Sequence, residues 1–232
     1  MASGSRYSLT GNTMQVISLC DFTGIMVKPW AEAGHDCLCL DLQHPFGETT
    51  SGRITKRRAD VRTLTPSELP KPDIIFAFPP CTNLAVSGAR WMKDKGIQGL
   101  IDGLQLVESC RKLCQWYQCP WMLENPISIL STCWRKPDAV FQPWEFGDNY
   151  TKKTCIWLGG GFMFPTPSVR EEPEEVQQLI WRMAPSPERA AERSKTPQGF
   201  AKAVFKANSN RVGESEEPVD GFPVPGPDPR SQ

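Results

Sequence analysis

Histidine is scarce, tyrosine little commoner, and an excess of either charge is missing: the 232 residues hold two His, three Tyr, and 26 Lys+Arg against 26 Asp+Glu. Zero net charge excludes a globally basic surface for nucleic acid and a long acidic tail. Long apolar runs are missing too. The longest, residues 74–80 and 155–161, fall far short of the ~18 that a membrane span needs. The first residues, MASGSRYSLTGNTMQ, offer no basic start feeding an apolar stretch, so no secretory signal is expected and a cytoplasmic location follows. No Cys-x-x-Cys pair occurs among the nine cysteines, and only His35 and His44 stand ready to help them, so no metal site is expected. The odd cysteine count argues against a disulfide framework; most of these thiols are expected to be small buried hydrophobes.

The length suits one domain. Residues 1–13 read as a flexible leader, 14–210 as the domain, and 211–232, with five prolines and few apolar residues, as a disordered tail. Residues 14–19 (MQVISL) form a short β-branched run that breaks at Asp21-Phe22-Thr23-Gly24, the pattern of a buried strand entering a turn. Pro29 suits the first turn of a helix and Gly34 its stop; residues 36–42 (DCLCLDL) read as a second strand carrying Asp41 at its end. Strand, glycine turn, helix, strand, acid is the order of a right-handed crossover in a parallel sheet, whose loops at strand C-termini collect ligands.

A basic loop is expected over residues 53–58, followed by Asp60 and an interior strand at 73–78 (DIIFAF). Apolar spacing predicts a core-facing helix over 98–117. A strand at 120–123 (PWML) then runs into Glu124-Asn125-Pro126. Further on come a strand at 154–158, an acidic helix near 174–183 and a last helix over 198–208.

Two strand ends carry chemistry. Pro79 and Pro80 lack backbone donors and fix their own φ, so they end one strand and present Cys81 rigidly. A thiol held at a cleft is a nucleophile where its thiolate is favoured. Glu124, at the next strand end, is a carboxyl placed for proton transfer. Taken singly, Cys81 is more simply read as a buried thiol and Glu124 as a turn cap.

The order glycine turn, acid, Pro-Pro-Cys, Glu-Asn-Pro resembles the cytosine carbon-5 DNA methyltransferases. The runs ENPISILSTCWRKPD, PWEFGDNYTKKTCIWL and RSKTPQGFAKAVF are similar to the short phage- and prophage-encoded members, which lack a large target-recognition domain. The resemblance implies a single Rossmann-like α/β domain with a mainly parallel sheet, S-adenosylmethionine as cofactor and DNA as substrate. It implies a covalent mechanism in which the Cys81 thiolate adds to carbon 6 of cytosine and Glu124 assists at ring nitrogen 3. Asp21, Phe22, Gly24 and Pro79 would line the cofactor's methionine end, Asp41 would hold the ribose hydroxyls, and Asp60 would approach the adenine amine. Asn125, Arg90 and one of Lys152 and Lys153 would contact the substrate, with Trp91 and Ser87-Gly88 in a closing loop.

Met26 and Val27 stand where relatives carry further glycines, and Lys152-Lys153-Thr154 replaces the Gln-x-Arg-x-Arg strand. Between Gly160 and Arg193 there is less chain than the ~50 residues of a small domain, so a separate partner for sequence specificity is one expectation. Zero net charge keeps a free cytidine nucleotide open as the substrate, since phosphate contacts dominate DNA affinity; a non-catalytic phage protein on the same scaffold is the other alternative. A basic lip of Lys56, Arg57, Arg58, Arg90, Lys93, Lys95, Arg135 and Lys136 is expected to supply the local charge. Because the tail cannot repay the entropy of ordering, deleting residues 212–232 is expected to leave the melting temperature and turnover unchanged; a large loss of either in a thermal scan or activity assay would show that the tail docks.

Overall fold

The computed structural model describes residues 12–85, 92–177, 192 and 194–209. The leader through residue 11, Ser87, Gly88, Arg90 and Trp91 of the expected closing loop, most of the expected acidic helix, residue 210 and the expected tail 211–232 lie outside the described residues.

Eight strands form one sheet: β1 (Gln15–Leu19), β2 (Asp36–Asp41), β3 (Glu48–Ser51), β4 (Ile54–Arg58), β5 (Ile74–Ala77), β6 (Trp121–Pro126), β7 (Ala139–Phe141) and β8 (Thr154–Gly159). Their order across the sheet is β3-β4-β2-β1-β5-β6-β8-β7. Strands β4, β2, β1, β5 and β6 are parallel to one another, whereas β3 and β8 run against their neighbours. The protein is therefore an α/β, Rossmann-like domain with a mainly parallel sheet. From β1 the chain winds outward through β2 and β4 on one side and through β5 and β6 on the other, so the switch point lies between β1 and β5. Crevices at such points, beyond the strand C-termini, are where doubly wound sheets bind ligands.

Both faces of the sheet are buried, which explains why the parallel strands read as continuous apolar runs. Alternate residues serve opposite faces. Ile17, Leu19, Leu38, Leu40, Ile75 and Leu123 pack with Val107, Cys110, Leu113 and Cys114 of α2 (Met92–Trp116). Val16, Cys37, Cys39, Ile74, Phe76 and Met122 pack with Trp30 of α1 (Lys28–Glu32) and Phe200 and Val204 of α4 (Gln198–Asn208). Phe141, Phe146, Phe164 and Phe200 close that second layer, with the Phe141 and Phe200 rings stacked at 4.0 Å. A short helix, α3 (Leu130–Cys133), follows β6.

Several sequence expectations need correction. The basic run at 53–58 is β4, not a loop: it pairs with β2 on one side and β3 on the other, and its long aliphatic stems tolerate half-burial one strand in from the edge. Strand β3 is fully exposed and so carries no hydrophobic signal. Strand β6 continues through Glu-Asn-Pro because antiparallel β8 supplies partners as far as Pro126↔Thr154. Helix α2 begins at Met92, with a break at Gly96, and Ile101 faces solvent. Residues 174–177 are not helical; Gln177 instead forms a bridge to Tyr150. No helix among the described residues is long and apolar enough to cross a membrane.

Most thiols serve the core. Burial pushes Cys37 up to about 12, and lifts Cys39 and Cys114 well above the usual thiol range, so all three stay protonated at pH 8. Cys133, at the end of α3, is exposed. Brief iodoacetamide treatment of the native protein at pH 8 should therefore modify Cys133 and spare Cys37, Cys39 and Cys114 until guanidinium is added, as read by peptide mass spectrometry. Fast native labelling of the latter three would contradict this core.

Candidate active site

The rim above the strand C-termini is built from four short segments. After β1, Cys20 adopts a left-handed conformation (φ 55°), and Asp21-Phe22-Thr23-Gly24 folds back over the sheet. The Asp21 carboxylate organises this turn: it accepts from Ser18 Oγ at 2.8 Å, Thr23 Oγ1 at 3.1 Å and the Gly24 amide at 2.7 Å. Gly24 has φ +73°, a region that side chains resist. Asp21 is thus buried and committed to loop shape. Phe22, in contrast, is half exposed.

Two residues that carry no signal in the sequence complete the turn. His44 is buried, sets its Nε2 3.2 Å from the Asp21 carbonyl and stacks on Phe22 at 5.4 Å. Lys56 Nζ donates to the carbonyls of Phe22 at 2.9 Å and Thr23 at 3.3 Å. One comes from the loop after β2 and the other from β4, and neither lies in a recognisable spacing with Asp21.

Asp41 closes β2 on the same rim, mostly buried, with Oδ1 accepting from the Gln43 amide at 2.7 Å. Asp60, just beyond β4, is gripped in a fork by Arg62, with contacts of 2.6 to 3.1 Å. That hydrogen bonding holds its carboxyl below the usual range. An incoming amine would have to compete with the guanidinium for Asp60.

The segments after β5 and β6 are stitched together. Asn125, fully buried, donates its side-chain amide to the Pro79 carbonyl at 3.0 Å. The Cys81 carbonyl accepts from the amides of Leu84 at 3.0 Å and Ala85 at 2.9 Å, closing a turn. Ala85 then bridges Ser128, and the Ile129 amide reaches the Leu84 carbonyl at 3.3 Å. Cys81, half-buried, and Glu124 are brought to one rim by adjacent parallel strands in register at Ala77↔Leu123. Asn125 itself shapes this junction.

Glu124 lies in a small apolar cleft with Phe78, Phe141, Thr196 and Phe200. Its Oε1 is buried and accepts no hydrogen bond; the Lys152 ammonium stands 3.9 Å away, and the two side chains are 17% and 13% exposed. Lys152 also donates to the Lys195 carbonyl at 3.1 Å. Lys153, one residue on, is exposed, so Lys152 is the lysine that joins the site. Beside this cleft, Ile25, Asp148, Tyr150, Lys195 and Gln198 line a cavity of about 160 Å³. Burial, helped by the charges of Asp148, Glu192 and Glu124, pushes the Tyr150 phenol well up, leaving it a donor. The Gly199 amide at the start of α4 donates to Asp148 at 2.8 Å, and a Cβ at Gly199 would sit 2.0 Å from the Phe146 carbonyl.

Among neighbouring thiols, Cys20 is pushed up by its 3.9 Å contact with Cys110 and by burial, and Cys155 by burial and then Glu124. Both are held as thiols. The expected basic lip divides: Arg57 and Arg58 end β4 on the rim, while Arg135 pairs with Asp138 at 2.7 Å and reaches the Leu158 carbonyl. Because β8 runs antiparallel, Leu158 lies toward the opposite edge of the sheet.

No family model matches the chain, and no curated protein does. Among solved structures it is similar to magnesium protoporphyrin IX methyltransferase from Synechocystis PCC 6803 with bound SAH, at 10% identity over 63% of this chain and 73% of that one, with TM-score 0.35. The glycopeptide N-methyltransferase MtfA follows at 15% identity, 57% of this chain and 53% of that one, with TM-score 0.30. The CcbJ methyltransferase from Streptomyces caelestis stands at 13% identity, 55% of this chain and 49% of that one, with TM-score 0.31. The chain spans about half the length of the latter two. Likenesses this slight carry no argument about function, which rests on the rim itself.

Proposed function

We propose that the protein is an S-adenosylmethionine-dependent methyltransferase acting on carbon 5 of cytosine in DNA, through a covalent adduct at Cys81. The observation that carries this reading is the junction in which Asn125 ties the Pro-Pro-Cys segment to the Glu-Asn-Pro strand, so that the segments bearing a thiol and a carboxyl leave adjacent strands on one rim.

The rim suits the cofactor. The Asp21-organised turn holds Gly24 in a left-handed conformation and Phe22 half exposed; Asp41 offers a carboxylate for a ribose diol, and Leu42 is partly exposed beside it. Phe22, Gly24 and Asp41 would hold it, with Pro79 behind the methionine end and Asp60 engaging the adenine only by sharing Arg62. S-adenosylmethionine supplies an electrophilic methyl group on sulfonium. Asp21 contributes through the turn it holds.

Cytosine carbon 5 is too weak a nucleophile to take up that methyl unaided. Addition of the Cys81 thiolate to carbon 6 pushes electrons toward carbon 5 and nitrogen 3, making an enamine. Glu124 delivers a proton to nitrogen 3 as charge builds there, and Lys152 balances the carboxylate so formed in a cleft that excludes most water. After methylation, water takes the proton from carbon 5, the electrons of that bond expel the Cys81 thiolate and restore the ring, and nitrogen 3 returns its proton to Glu124. Arg90 would clamp the target nucleotide from its loop.

Labelled S-adenosylmethionine incubated separately with duplex DNA, single-stranded DNA and cytidine nucleotides tests the substrate class; methylation of the free nucleotide alone would move the assignment to nucleotide chemistry. Cys81→Ser should abolish transfer while cofactor affinity stays within twofold of wild type, because serine is too weakly ionised near neutral pH to attack carbon 6. A 5-fluorocytosine substrate blocks the final proton loss and should trap the wild-type protein at Cys81; a serine variant that still methylates, or an adduct mapped to Cys20 or Cys155, would end the assignment. Glu124→Gln should slow both trapping and turnover by about 100-fold or more, and rates within fivefold of wild type would remove Glu124 from the chemistry.

A further inference from the structure

Phe46 is the most exposed large hydrophobic side chain among the described residues, at 88%. It sits in the loop between β2 and β3, where nothing in the core requires an aromatic ring. One face of the ring is backed by the Arg58 guanidinium, 4.5 Å from its centroid, and Arg58 is anchored by a 3.3 Å bond to the His44 carbonyl. Arg58 is opposite Asp41 in register, so the pair stands on the functional rim. By strand spacing it lies three strands, roughly 14 Å, from the segment that follows β5.

The surroundings are basic. Lys56, on the same face of β4 as Arg58, keeps its charge while donating to the neutral Phe22 and Thr23 carbonyls, whereas Arg57 points to the other face and pairs with Glu48; Asp60 is taken by Arg62. In a chain with no net charge, affinity for a polyanion has to come from a patch of this kind. An aromatic ring open on one face and backed by a cation on the other is the arrangement on which unpaired bases stack without sequence preference. A duplex keeps its base faces internal and offers such a ring nothing.

We propose that Phe46 and Arg58 form a docking platform for an unpaired base of a single DNA strand flanking the target cytosine. This rests on the reading of the protein as a DNA-modifying enzyme. The base stacks on the open face of Phe46, and Arg58 holds the ring in place while adding positive charge beside the strand's phosphates. The β3–β4 hairpin, which extends the sheet beyond β2, thereby gains a role in substrate capture.

The test is fluorescence anisotropy of a labelled 15-nucleotide single strand and of its duplex with the full-length protein, wild type against Phe46→Ala, Phe46→Trp and Arg58→Gln. Cofactor affinity is measured calorimetrically on the same samples. Since Phe46 is on the surface, its replacement should leave the thermal transition unchanged. Phe46→Ala and Arg58→Gln are expected to weaken single-strand binding about fivefold or more, Phe46→Trp to preserve it, and cofactor affinity to stay within twofold of wild type. Single-strand affinity of Phe46→Ala within twofold of wild type would overturn the platform, as would a parallel fall in cofactor affinity, which would assign the ring to the cofactor. Trapping on a free 5-fluorocytidine nucleotide without binding of any DNA strand would also overturn it while preserving carbon-5 chemistry. Phe46-dependent strand binding without 5-fluorocytosine trapping would preserve the platform and reject the methylation reading.

Discussion

A hydrogen bond between a fully buried amide and a proline carbonyl, Asn125 Nδ2 to Pro79 O, joins the two strand ends on which the site depends. Proline at positions 79 and 80 removes two donors, so the segment before Cys81 cannot extend the sheet ladder and needs another anchor. Asn125 is that anchor, and the antiparallel partner strand β8 holds Asn125 in turn through its pairing with Cys155. Loss of the amide would leave a buried acceptor unpaired, a cost of about 1–3 kcal/mol, at a junction two residues from Cys81.

The same economy governs the first loop. Asp21, a residue type that often touches ligands, is used to fold the turn, and the turn's outward carbonyls are then taken by His44 and Lys56. A rigid loop with its backbone polar groups largely satisfied presents Phe22 and Gly24 in fixed places. Asp41, one strand over, stays near the surface of the rim with part of its acceptor capacity uncommitted to the Gln43 amide. The result is a preformed turn on the rim next to the sheet switch point.

Charge is organised locally. Lys152 beside Glu124 balances one carboxylate inside a nearly dry cleft, where an isolated charge would be costly to hold. On the outside, the cations at the end of β4 and the anions near them leave a basic margin on the rim, although the whole chain is neutral. Such a distribution favours contact at one edge and little attraction elsewhere, as expected of a surface that meets a polyanion in a single orientation.

The central strands were legible in the sequence, because β1, β2, β5 and β6 each hold a short apolar run halted by an unusual residue: Asp21, Asp41, Pro79 and Glu124. A run buried on both faces needs no partner to be recognised. Exposed β3, with its ETTS sequence, and three-residue β7 lack that signature and exist because β4 and β8 offer them ladders. The basic run 53–58 looked like a loop for the same reason: its strand character comes from pairing with β2, far back in the chain. Strand direction decided the rest. Antiparallel β8 carries Lys152 to Glu124 while Lys153 stays exposed, and it places Arg135 toward the other edge of the sheet. By itself the sequence determined where the apolar runs stop, since local hydrophobicity and proline geometry act over a few residues; tertiary structure alone decided how far β6 continues and which segments meet, because hydrogen bonds such as Asn125 to Pro79 and Lys56 to Phe22 join segments whose separation leaves no local pattern.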